Sequence, residues 1–316
     1  MPLFILTLSR MAILATFVVI GFVVAKLGSV PKGGAAVLSR LENTVFIPAL
    51  VAGTFMTNFT QETLGRAGEI FLFSLVLNGL LLLLAHLLAR LLSRDGYLRR
   101  ITTYGLAFSN FGFFGIPVVG GLFPEYTFEY IVFTLPLWIF IYLYGVPFLL
   151  MENGDGERRG ILLRLRPLLN PMFVGLLIGA LIGILAIPMP DFLLEVVDSL
   201  GGCMSPLAMM ITGITFAGMP LVKVLKNPVI YLATLLRLLV IPIAVGALLL
   251  LIEWLGMPIP EATRVSVVCA MAMPLGLNTV VVPAAYGRDT SVAAGMALVS
   301  HLLAIATIPL ILGLFL

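Results

Sequence analysis

Apolar residues run through the chain in long unbroken stretches, such as ILATFVVIGFVVA and LLLLLAHLLARLL. A membrane-barrel strand would instead alternate polar and apolar positions over about ten residues, so helices are predicted. At about 20 apolar residues per crossing, charges, Gly and Pro delimit ten segments: 11–27, 35–56, 70–92, 101–123, 128–151, 171–187, 192–219, 229–254, 262–286 and 290–316. Composition points the same way. Of 316 residues, 61% are hydrophobic and 10% charged, against roughly a quarter charged in a soluble domain. A water-soluble globule is excluded, and an all-α membrane protein that crosses the lipid bilayer many times is expected.

The net charge of +3 implies no nucleic-acid partner, because basic residues in such a chain mainly set orientation. The loops after segments one, three, five, seven and nine hold 14 of the 18 Lys and Arg residues, among them Lys26, Lys32, Arg158, Arg159, Arg164, Lys223 and Lys226. These loops are therefore predicted to be cytoplasmic, with both termini outside, in a cytoplasmic (inner) membrane. Cys203 and Cys269 both fall in apolar stretches and read as small core residues. No metal-ligand spacing or cofactor motif accompanies them.

The longest polar interruption, residues 151–166, lies at the midpoint and divides the segments five and five. Since five is odd, a duplicated half re-enters the membrane inverted. The expected units are residues 1–157 and 158–316. Pro48 and Pro206 correspond at an offset of 158, and Asn78 and Arg237 at 159. The fourth segment of each half carries Gly and Pro clustered with an amide: Ser109 to Pro117, with Asn110, Gly112 and Pro117, and Met273 to Pro283, with Pro274, Gly276, Asn278 and Thr279. In lipid, broken backbone must be shielded or line a cavity. A break creates a helix N-terminus whose free N–H groups hold an anion without a formal cation. These seven residues are the candidate substrate site, with the two broken helices crossing there.

SNFGFFGIPV (Ser109 to Val118) and AMPLGLNTVVVPAAYG (Ala272 to Gly287) resemble the fourth- and ninth-helix signatures of the auxin efflux carrier family, which includes plant PIN proteins and bacterial malonate and malate permeases. The elements around Glu42, NPMFVGLLIG after Asn170, SPLAMMITGITFAG around Pro206 and LLRLLVIP from Leu235 extend the resemblance along nearly the whole chain. It implies ten helices in two inverted five-helix repeats, as in bile-acid symporters, with helices four and nine crossing at the substrate. It also implies a scaffold of helices one, two, six and seven, a moving core of the other six, a homodimer, and elevator-type movement of organic anions. Ala284 and Ala285 depart from the acidic or amide residue often found there in bacterial members, which removes any role carried over to that place.

Arg237, His301 and Glu42 are ionisable groups inside apolar segments and so are candidates for anion attraction or coupling. Arg237 reads equally as a structural pair, His301 as a neutral core histidine, and Glu42 and His86 as interfacial groups offset by Arg40 or Arg90. A cation/proton antiporter of similar architecture is the alternative, but neither broken segment has an Asp or Glu near its centre. A non-transporting sensor is a further alternative. An enzyme is not expected, since the two histidines lie 215 positions apart and no HExxH or GxSxG occurs.

Overall fold

The computed structural model describes residues 3–31, 33–151, 166–219, 227–285 and 288–316. The boundary at 157 and the loop charges Lys32, Arg158, Arg159, Arg164, Lys223 and Lys226 lie outside them, as do Tyr286 and Gly287. The described residues are overwhelmingly helical. In chain order the helices are α1 Leu3–Lys26, α2 Gly34–Asn58, α3 Leu64–Leu92, α4 Gly96–Ala107, α5 Phe111–Leu122, α6 Pro124–Leu150, α7 Pro171–Ile184, α8 Asp191–Ala217, α9 Pro228–Trp254, α10 Glu261–Ala272, α11 Asn278–Ala285 and α12 Ser291–Phe315.

Seven of these, α1, α2, α3, α6, α8, α9 and α12, are long and apolar enough to cross a membrane. The fourth and ninth predicted segments appear as pairs of short helices, α4 with α5 and α10 with α11, because each chain switches to extended backbone at Phe108 and at Met273. Helix α7 is also short; its 14 residues rise about 21 Å at 1.5 Å per residue. Helix α1 starts eight residues earlier than predicted, so Arg10 lies within it, exposed. Cys269 is buried as expected, but Cys203 is exposed, at the turn that interrupts α8.

Proline explains three wide turns. Pro lacks an N–H and its ring collides with the carbonyl four residues back, which pushes the ladder to a wider register. Glu42–Phe46 precedes Ile47-Pro48 in α2, Phe111–Gly115 precedes Ile116-Pro117 in α5, and Leu236–Val240 precedes Ile241-Pro242 in α9. Glu42 and Arg237 both lie on such turns.

Among the described residues the two most extensive helix pairings are α1 with α8, and α2 with α7. Small residues permit them. Gly175, Gly179 and Gly183 recur every fourth position on α7, and a Cβ on any of them would fall inside contact distance of the backbone oxygens of Pro48, Ala52 and Phe55 on α2. Around the two broken segments pack α6, α9 and α12, and most of the largest fully buried side chains lie on these three helices and the broken segments together.

Candidate functional site

The two breaks meet. Ser109 and Leu275 form an antiparallel bridge, in which Asn110 N–H donates to Pro274 O at 2.7 Å and Gly276 N–H to Phe108 O at 3.2 Å. A Cβ on Gly276 would lie 3.1 Å from Phe108 O and 3.4 Å from Ser109 O of the opposite strand-like segment. Ser109 Oγ donates to Ala270 O at 3.0 Å, and Leu275 N–H to Ser300 Oγ of α12 at 3.3 Å. The crossing is thus hydrogen-bonded into its surroundings, as broken backbone at membrane depth requires.

Each end of each break has a different partner. The C-termini of α4 and α10 converge on Arg237, which is 1% exposed. Its Nε donates to Met273 O (3.1 Å), Nη1 to Leu106 O (3.2 Å), and Nη2 to Ala270 O and Met271 O (both 3.1 Å). The last carbonyls of a helix lack intrahelical donors and carry the negative end of its dipole. One guanidinium therefore caps two helices at once. Four of its five N–H bonds are spent on main-chain carbonyls, and no described carboxylate pairs with it.

The N-termini of α5 and α11 converge on a cavity of about 20 Å³, room for about one water. Asn110, Gly112, Gly276 and Asn278 line it, together with Tyr104, Phe111, Phe113, Trp138, Ile141 and Leu277. The first N–H groups of both short helices belong to these lining residues. Asn278 Nδ2 donates to Tyr104 Oη at 3.1 Å, so that hydroxyl still has a proton to offer. No Asp or Glu stands among the described residues around this cavity.

Three sequence candidates lie elsewhere. Thr279 is buried with its Oγ1 bonded back to Gly276 O at 2.8 Å, so its hydroxyl braces the loop. Pro274 contributes its carbonyl to the bridge. Pro117 lines a separate cavity of about 330 Å³ between α1, α5 and α8, whose wall includes Arg10. Tyr104, Trp138 and Ile141 were not singled out by the sequence, since each reads as packing in an apolar segment.

His301 sits beside the crossing: its Nε2 is 2.9 Å from Asn110 Nδ2, and its Nδ1 is 2.7 Å from Ala297 O. Glu42 is apart from it, on the turn packed against α7 and α8. Its side chain is fully buried and neither carboxylate oxygen has a partner; Arg40, expected to offset its charge, is exposed and makes no ion pair with it. His86 is half-buried and bonded to Leu82 O and Tyr144 Oη, joining α3 to α6.

Residues 6–312 match the family described as membrane transport protein. No curated protein matches the chain.

Proposed function

Since the chain belongs to the auxin efflux carrier family of membrane transport proteins, we propose that it is a secondary carrier that binds a small organic anion, a carboxylate, where its two broken segments cross. The observation that carries this reading is the sorting of helix ends. Both negative ends are capped by Arg237, while both positive ends face one cavity with no carboxylate among the described residues of its wall. A cation carrier would need the opposite arrangement. The donors available to a carboxylate are the N–H groups of Phe111, Gly112, Leu277 and Asn278, and Tyr104 Oη–H.

In this reading the chain makes ten crossings as two inverted five-helix repeats. The reciprocal pairing of α1 with α8 and α2 with α7 supports it, since a two-fold axis in the membrane plane exchanges the pairs. The scaffold is α1, α2, α7 and α8, through which two copies associate, and the remaining helices move as the core. Two cavities of about 330 and 290 Å³ lie along the boundary between these bodies, with Leu50, Thr127 and Gly201 common to both. They support an elevator motion of the core, toward whichever side the loop charges make cytoplasmic. With room for one water, the crossing in this conformation is closed, and admitting an anion requires Trp138 of α6 to move away from the crossing within the core.

The test is transport by reconstituted protein of an organic acid chosen from a thermal-shift screen, where a ligand of the folded state raises apparent stability. Asn110→Ala and Asn278→Ala should each abolish uptake while the protein remains folded. Wild-type rates in both folded variants would overturn the assignment.

A further inference from the structure

Asn110 immediately precedes α5, the position where an Asn side chain ordinarily accepts from the N–H groups of the first turn. Here it makes no such bond. Its Nδ2 is turned to His301 Nε2 at 2.9 Å. The other ring nitrogen of His301 settles the chemistry. Nδ1 lies 2.7 Å from the carbonyl oxygen of Ala297, which only accepts, so Nδ1 carries the proton. Nε2 is then an acceptor and Asn110 the donor. The amide is fixed with its NH2 toward the ring, which leaves Oδ1 as the end free of the ring in a side chain that lines the cavity.

This arrangement has two consequences for an anion at the crossing. The helix N–H groups that Asn110 would have capped stay available to a ligand. The amide itself, however, offers a partially negative oxygen where a carboxylate is to sit. We propose that His301 is a positioning residue that sets the polarity Asn110 presents to the anion, and that a proton on Nε2 reverses that polarity. With Nε2–H formed, the amide turns over: Oδ1 accepts from the ring, and NH2 joins the backbone donors facing the cavity. Anion binding and proton binding at His301 then favour each other, and the carrier moves both. The inference rests on the crossing being the anion site.

The groups on the elements packed against α12 leave His301 to act through Asn110. Phe114 of α5 and Phe216 of α8 cover its ring edge-on at 5.5 and 5.4 Å. The buried polar groups nearby are Arg237 of α9, held by four carbonyls, Tyr104 of α4, bonded by Asn278, and the Cys269 thiol of α10. On α1, Arg10 and Lys26 are exposed, as are Tyr231 of α9, Glu261 of α10 and Arg99 of α4; Glu253 and Arg264 pair with each other, and Tyr97 and Arg100 lie in the first turns of α4. None places a carboxylate against the ring.

The experiment has one arm that needs no ligand. The chain has two histidines, so nitrogen-15 labelling of histidine gives two sets of ring signals, and His301→Gln assigns them. At neutral pH His301 should show a protonated Nδ1 and an unprotonated Nε2; the opposite tautomer overturns the proposal whatever transport shows. The second arm uses lactate, whose carboxylate stays ionised from neutral to mildly acidic pH, as probe anion. Wild-type affinity should rise on acidification by up to about tenfold per pH unit, the limit for one linked proton, and the slope should flatten in His301→Gln. A histidine that only packs would lower affinity or stability in that variant and leave the slope intact, which refutes the proposal. Lactate that binds at no pH counts against the anion site itself, and the nitrogen signals still decide the role of His301.

Discussion

Replacing Arg237 with Met should loosen the crossing rather than merely weaken attraction for an anion. Met keeps much of the side-chain volume but leaves the carbonyls of Leu106, Ala270, Met271 and Met273 without the donors they now have. Four bonds at about 0.6 kcal/mol each, the average within membrane bundles, give about 2 kcal/mol. At about 1.5 kcal/mol each, the lower end for charged donors, they give about 6 kcal/mol. Arg237→Lys should fall between wild type and Arg237→Met, because an ammonium has three donors and no planar fork to reach carbonyls on two helices. Detergent-based unfolding of the purified protein measures the order. The refuting result is a Met variant as stable as wild type that has lost only anion affinity, which would make Arg237 a substrate group and not the cap of α4 and α10.

Other substitutions probe other links of the account. Gly179→Leu should destabilise by about 1–3 kcal/mol through overpacking at the α2–α7 contact, whereas Gly202→Ala, with nothing near the added Cβ, should be neutral; thermal unfolding compares them. Glu42→Gln should be at least as stable as wild type, since the buried carboxyl has no partner to lose, and a large loss of stability would disprove that description of it. Tyr104→Phe removes the hydroxyl bonded by Asn278 and should weaken anion binding about tenfold, equivalent to about 1.4 kcal/mol, with little change in unfolding temperature; unchanged binding would take Tyr104 out of the site.

Much of this arrangement was legible in the residues. The unbroken apolar runs announce helices in lipid, and Asn110 and Asn278, each among Gly and Pro, mark the two places where a membrane helix cannot continue. That both breaks meet through Ser109 and Leu275 follows from the same constraint, because unpaired backbone at that depth needs a partner. The side chains around the crossing were harder to read. Tyr104 and Trp138 are indistinguishable from core aromatics until α4 and α6 are brought against α5 and α11. Arg237 is separated by 131 residues from Leu106, whose carbonyl it binds, so no local pattern distinguishes a cap of two helices from an anion lure. Arg40 does not offset Glu42 because, two positions away, it lies on another face of the same helix. His301 was recognised as an ionisable group at depth, but its partner Asn110 sits 191 positions earlier.

The most direct test is an experimental structure of the protein with a bound carboxylate. Its oxygens should lie within hydrogen-bonding distance of the first N–H groups of α5 and α11, at Gly112 and Asn278, beside Tyr104. A carboxylate seated instead against Arg10, in the cavity between α1, α5 and α8, would contradict the account.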